Sequence, residues 1–60
     1  MVISAFAHAY WRQIKNGNRT FESVKEAYKE QVKFLAKTDV INGVITAEQY
    51  YEYIGEEYVA

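Results

Sequence analysis

Apolar residues recur at the three- and four-residue spacing of an amphipathic helix in three segments of the chain. In the first segment this spacing is kept by Ile3, Phe6, Ala7, Tyr10 and Ile14. Ser4 is placed to cap the start of the segment, and Gly17, which has no Cβ atom, is placed to end it in a left-handed conformation. The pattern therefore predicts a first helix over residues 3–16.

The second segment is predicted to be a helix over residues 20–37, with Thr20 as its N-cap. Its buried stripe is expected to consist of Phe21, Val24, Ala27, Tyr28, Val32, Phe34 and Leu35. On the other side, each of three glutamates is followed three residues later by a lysine, which is typical of a solvated helix face. Thr38 and Asp39 are expected to break or bend the helix.

The third helix is predicted over residues 46–54, and its start carries the clearest local signal in the chain. Thr46 and Gln49 have the spacing of a capping box, in which each side chain bonds the backbone N–H of the other residue. Ile45 and Tyr50 are placed to form a hydrophobic staple across this cap. Gly55 is expected to end the helix. The residues expected to face the core are Tyr50, Tyr53 and Ile54, with Tyr51 at the periphery.

The same sequence pattern occurs at both predicted connections between helices. The segment IKNGNRTFESV (14–24) aligns with VINGVITAEQY (40–50), so that Asn-Gly and Thr-x-Glu recur at the same spacing. Gly17 and Gly43 would each stop a helix, and Thr20 and Thr46 would each start the next one. Two interpretations explain this match: independent convergence on the same efficient turn chemistry, or two structurally equivalent helix-joint units. A DNA-binding helix-turn-helix is a third interpretation, but phosphates would repel the acidic helix that follows the second joint.

Length and composition restrict the chain to one domain, residues 1–60. A core of this size gives only marginal stability to an isolated chain, and small domains commonly gain further stability by oligomerisation. There is no cysteine and only one histidine, His8, so no metal or cofactor site is expected. No membrane span or export leader is expected either, since no apolar run approaches about 20 residues.

Charge is divided between the two ends of the chain. Residues 1–19 contain three basic residues and no acidic one, and residues 47–60 contain four acidic residues and no basic one. These ends can attract each other within one chain or between copies. Three basic residues are too few to predict a nucleic-acid surface.

No catalytic group is expected. His8 has no assignable partner in a nucleophile–base arrangement, and the C-terminal glutamates lack the spacing of a calcium-binding loop. The unusual feature is the aromatic content, because tyrosine and tryptophan are favoured at protein interfaces. Packing of these rings in the core alone is the other interpretation. The candidate interface residues are Tyr10, Trp11, Tyr51, Tyr53 and Tyr58.

The last third of the chain resembles the closing signature of the XkdX family. The residues that carry the likeness are GVITAEQY (43–50), followed by Glu52, Gly55 and Glu56 to Tyr58. A short Gly-x-Ile-Thr-x-Glu phrase is also similar to oligomerisation modules of the SHOCT type. The XkdX family comprises short proteins encoded in the tail and baseplate region of phages and defective prophages of Gram-positive bacteria. The chain departs from the family at Tyr53-Ile54, where an isoleucine–threonine pair is more usual.

The resemblance implies a non-enzymatic phage or prophage accessory protein that is associated with the tail or baseplate. Its expected partner is another copy of itself or a tail protein, and its expected location is the cytoplasm of the producing bacterium or the virion. The alternative is a small cytoplasmic regulator that binds nucleic acid or a host protein.

Overall fold

The structure, a computed structural model, describes residues 2–59. These residues form three α-helices and no strand: α1 (Ala5–Lys15), α2 (Glu26–Ile41) and α3 (Ala47–Ile54). A short 3₁₀ turn, Phe21–Ser23, lies between α1 and α2. The predicted all-α, three-helix architecture is confirmed.

The first helix starts two residues later than predicted, at Ala5. Ser4 is its N-cap, as expected, and the Ser4 hydroxyl accepts a hydrogen bond of 3.1 Å from the backbone N–H of Phe6. At the other end Gly17 has φ +79°, in the left-handed region. The Gly17 N–H donates to the carbonyl of Ile14 and the Asn18 N–H donates to that of Gln13. This pair of bonds is a Schellman motif, which satisfies the last carbonyls of the helix.

The second joint repeats this stop in full. Gly43 has φ +76°, its N–H donates to the carbonyl of Val40, and the Val44 N–H donates to that of Asp39. The Asn-Gly halves of the two repeated segments are therefore structurally equivalent.

The two threonine halves are not equivalent, and the predicted start of the second helix at Thr20 is wrong. Thr20 precedes only the 3₁₀ turn, and its side chain makes no capping hydrogen bond. Ser23 bonds locally instead, because its hydroxyl donates to the Thr20 carbonyl at 2.7 Å. Such bonds offer the backbone an alternative to the helix. Val24 and Lys25 are then extended, and α2 begins at Glu26.

The predicted break at Thr38 and Asp39 is also wrong, since α2 continues through both residues to Ile41. The Thr38 hydroxyl donates to the Phe34 carbonyl one turn earlier, at 2.9 Å, so it is satisfied inside the helix. The Asp39 side chain is bonded to α1.

The capping box of α3 is confirmed. The Thr46 hydroxyl accepts from the Gln49 N–H at 3.1 Å, and the Gln49 amide oxygen accepts from the Thr46 N–H at 2.8 Å. Gly55, with φ +84°, ends the helix and donates its N–H to the Tyr51 carbonyl. Ile45 and Tyr50, the predicted staple pair, both belong to the buried core cluster.

Replacing Thr46 by alanine is expected to lower the free energy of unfolding by about 1 kcal/mol, because the change removes the cap acceptor. The matched change Thr20→Ala is expected to cost less than about 0.5 kcal/mol, since the Thr20 side chain caps nothing. Urea unfolding followed by far-UV circular dichroism measures both. Equal losses for the two variants would contradict the difference between the joints.

The core lies where α2 packs against both α1 and α3. Its buried residues are Ala7, Trp11, Ile14, Phe21, Val24, Val32, Ala36, Ile45, Tyr50 and Ile54. Tyr28 and Leu35 pack partly against this core, as do Tyr53 and Tyr58.

Three residues predicted to lie in buried stripes are exposed instead: Phe6, Ala27 and Phe34. On α2 the core face is formed by Val32 and Ala36, four residues apart, and Phe34 between them points to nearly the opposite side. On α1 the core face runs through Ala7, Trp11 and Ile14.

Candidate protein-interaction surfaces

The five candidate interface residues do not form one surface. Trp11 is only 4% exposed, so it serves the core of a single chain rather than a surface for a partner. Tyr53 is half-buried and packs edge-on against the Trp11 ring, with the ring centroids 5.6 Å apart. Tyr10 lies on α1, whereas Tyr51 and Tyr58 lie at the C-terminal end of the fold.

A polar contact holds Trp11 in place. The Trp11 indole N–H donates to Asp39 Oδ2 at 2.9 Å, and the same oxygen is 3.3 Å from Lys15 Nζ. Lys15 Nζ also lies over the Trp11 ring, 5.2 Å from its centroid. A single carboxylate of α2 thus bonds two side chains of α1, and it explains why α2 has an aspartate near its C-terminal end.

The first exposed feature is a shallow groove of about 320 Å³ beside α1, here called the arginine groove. Its lining residues are Phe6, Ala9, Tyr10, Gln13, Asn18 and Arg19. Tyr28 supports it from α2, because its ring centroid is 5.8 Å from those of both Phe6 and Tyr10. Phe6 is 66% exposed, so an aromatic face is open to solvent here.

Arg19 is held at the edge of the arginine groove by two contacts. Its guanidinium carbon lies 4.8 Å from the centroid of the Tyr10 ring, a cation–π geometry, and Nη1 donates to the Ser23 carbonyl at 3.4 Å. A guanidinium has five N–H donors, so most of them stay available to a ligand. The arrangement suits an aromatic or apolar group that carries a carboxylate beside it.

The second exposed feature, here called the acidic groove, lies on the outer side of α3. It has a volume of about 310 Å³ and is lined by Ala47, Glu48, Tyr51, Glu57 and Tyr58. Tyr51 is 55% exposed, and Tyr58 packs edge-on against the buried Tyr50 with centroids 5.4 Å apart. Two tyrosine rings and two carboxylates therefore share one face.

An ion pair fixes the C-terminal segment that forms part of the acidic groove. Lys33 Nζ lies 2.9 Å from Glu56 Oε1, and this hydrogen-bonded contact raises the pKa of Lys33 above its usual value. Burial raises the pKa of the neighbouring Tyr50 phenol. Lys33 thus bonds the C-terminal segment rather than Glu30 three residues before it, whereas Lys29 pairs with Glu26, three residues before it, at 3.7 Å.

Sequence reasoning missed three contributors to these surfaces. Phe6 was expected in the core, Tyr28 only in the buried stripe, and Arg19 only as part of a charge excess. The contact of Arg19 with Tyr10 depends on the chain reversing at Gly17, which brings residues on either side of the turn together. The Asn-Gly stop was the signal that could have suggested it.

Among residues 2–59 there is no group of three or more potential metal-ligating side chains. No helix in this part of the chain has both the length and the apolar character needed to cross a bilayer. His8 is exposed on α1.

Comparison with protein-family models, with curated proteins and with solved structures found no match for the chain.

Proposed function

We propose that this chain is a non-enzymatic accessory protein of a phage or prophage tail region and that it acts through protein–protein contacts. The setting is suggested by the resemblance of residues 43–58 to the XkdX closing signature. Within those residues, the capping box at Thr46 and the glycine stop at Gly55 are features that the fold uses for its own stability. The proposed phage-tail setting therefore rests mainly on the residues of the signature that lie between the capping box and Gly55 and on those after Gly55.

The observation that carries the mode of action is that exposed aromatic rings line several grooves on so small a domain, among them the arginine groove and the acidic groove. Phe6 is 66% exposed and Tyr51 is 55% exposed, and each lies beside charged side chains. Aromatic rings with a charged rim are the usual composition of protein-binding surfaces. Neither groove encloses a substrate: both are shallow and open, which suits a side chain of another protein better than a small molecule.

The direct test is whether the protein is part of a tail or particle. Phage particles and tail intermediates would be separated on density gradients from lysates of the producing bacterium and probed by immunoblotting and mass spectrometry. We expect the protein in the tail fractions. Its absence from particles, free tails and tail precursors alike would overturn the proposed setting.

A pair of matched variants tests the mode of action in the same fractions. Tyr51→Ser removes an exposed ring from the acidic groove, and Phe34→Ser removes an exposed ring from a separate groove that it lines with Glu30, Lys33 and Lys37. We expect the first change, and not the second, to lower the amount of protein in tail fractions. Equal amounts of both variants and the wild type would contradict a role for the acidic groove.

A further inference from the structure

We infer that the arginine groove of one copy binds the acidic groove of a second copy. The inference rests on the proposed mode of action, protein–protein contact, and it names both the surfaces and the partner. It arises from the chemistry of the two grooves, which differ in charge and share an aromatic floor.

The charges that remain after internal pairing are complementary. Within residues 2–59, the basic N-terminal part engages Lys15 with Asp39, and the acidic C-terminal part engages Glu56 with Lys33. The residues that make no ion pair inside the described fold are Arg12 and Arg19 at one end and Glu48, Glu52 and Glu57 at the other. The excess of each sign thus survives folding and points to an oppositely charged partner.

The grooves also match at the level of single groups. Arg19 is oriented by Tyr10 and by the Ser23 carbonyl, so its remaining donors are arranged before a ligand arrives. A carboxylate is the group that a planar guanidinium binds best, and Glu57 presents one next to the Tyr58 ring. The Phe6 and Tyr10 rings offer a face on which such a tyrosine packs.

Geometry and size make this contact heterologous and weak. Two different surfaces meet, so a pair of copies still has one free arginine groove and one free acidic groove, and assembly continues into a ring or a filament. A standard interface of about 800 Å² per partner would cover about a fifth of the 4256 Å² surface of this chain. The grooves are smaller than that, so association is expected in the range of roughly 10 µM to 1 mM.

The test is sedimentation equilibrium of the full chain across that concentration range. We expect the wild type to grow in mass with concentration and to lose association in about 0.5 M salt, where exposed charges are screened. Arg19→Glu and Glu57→Arg are each expected to weaken self-association at least about tenfold. An equimolar mixture of the two variants is expected to associate again to within about threefold of the wild-type affinity, because one variant keeps an intact acidic groove and the other an intact arginine groove.

Matched charge reversals outside the two grooves serve as controls. Arg12→Glu and Glu52→Arg change the net charge by the same amounts, and neither residue lines either groove. Both are expected to retain association within about threefold of wild type. Circular dichroism of every variant establishes that the helices are intact.

Three results would overturn the inference: a wild type that is monomeric throughout the range, a mixture that stays monomeric, or controls that fail as badly as the groove variants. A monomeric wild type that still co-purifies with tails would leave the proposed function standing and assign the grooves to another protein. Self-association of a protein that does not co-purify with tails would leave the contact between the two grooves standing and overturn the proposed tail association.

Discussion

Replacing Trp11 by alanine is expected to remove much or all of the free energy of unfolding of this domain. Trp11 is 4% exposed, packs edge-on against Tyr53 and donates a hydrogen bond to Asp39. Removal of a buried tryptophan side chain lowers the free energy of unfolding by about 3–5 kcal/mol, because apolar contacts are lost and a cavity is left behind. A domain of this length has a total stability of about 3–9 kcal/mol. One substitution therefore removes much or all of it.

Far-UV circular dichroism against temperature and urea measures this loss. Tyr51→Ala is the matched control, since that ring is 55% exposed and its removal is expected to cost no more than about 0.5 kcal/mol. Trp11→Phe should fall between the two, because it keeps a ring and loses the N–H donor. A Trp11→Ala chain that melts close to the wild type would show that the core is not organised around this residue.

The second large effect is expected at Asp39. Its Oδ2 atom accepts from Trp11 at 2.9 Å and pairs with Lys15 at 3.3 Å, so Asp39→Ala leaves the partly buried indole N–H without its acceptor. Loss of a hydrogen bond to a charged group costs about 1.5–3 kcal/mol, and we expect about 2 kcal/mol here. The Asp39 carbonyl still closes the second joint, since that bond uses the backbone.

A double-mutant cycle separates the two partners of Asp39. Lys15→Met is expected to cost less than about 1 kcal/mol, because the lysine is a third exposed and water screens the pair. Trp11→Phe combined with Asp39→Ala should cost clearly less than the sum of the single changes, since both remove the same bond. Urea unfolding curves supply the free energies. Strict additivity would mean that the Trp11–Asp39 bond contributes nothing.

The local chain reversals were predictable from the sequence because their chemistry is local. Gly17 and Gly43 close Schellman motifs whose bonds span five residues, and Gly55 ends α3 in the same left-handed region. Each stop requires a residue without Cβ at positive φ, and this requirement is visible in the sequence without any tertiary contact.

The difference between the two threonine joints was also present in the sequence, at one position. Gln49 is the third helical residue after Thr46 and completes the capping box, whereas Ser23 stands at the equivalent position after Thr20. The Ser23 side chain is too short to accept from the Thr20 backbone N–H as Gln49 does from that of Thr46, and its hydroxyl donates to the Thr20 carbonyl instead. The repeated Thr-x-Glu frame was therefore less informative than the residue that follows it.

The candidate site was less predictable than the helices. Tyr10 and Trp11 are neighbours on α1, about 100° apart around the helix, and periodicity allows either ring to face the core. In the folded chain it is Trp11 that faces the core, because Asp39 of α2 accepts a hydrogen bond from its indole N–H and the Tyr53 ring of α3 packs against it at nearly a right angle. Tyr10 was left to form the arginine groove with Arg19.

Local sequence was enough to predict a small helical domain, the glycine stops at which its chain reverses and the cap of its third helix, since those features depend on hydrogen bonds between residues close in the chain. Packing between the helices, in contrast, was needed to show that α2 continues through Asp39, that Trp11 is buried and that Phe6 is exposed. Those outcomes depend on contacts between residues more than 20 positions apart, such as Trp11 with Asp39. A helical pattern restricts the face of each helix but not its partner, and the partner is what sorts aromatic rings between core and surface.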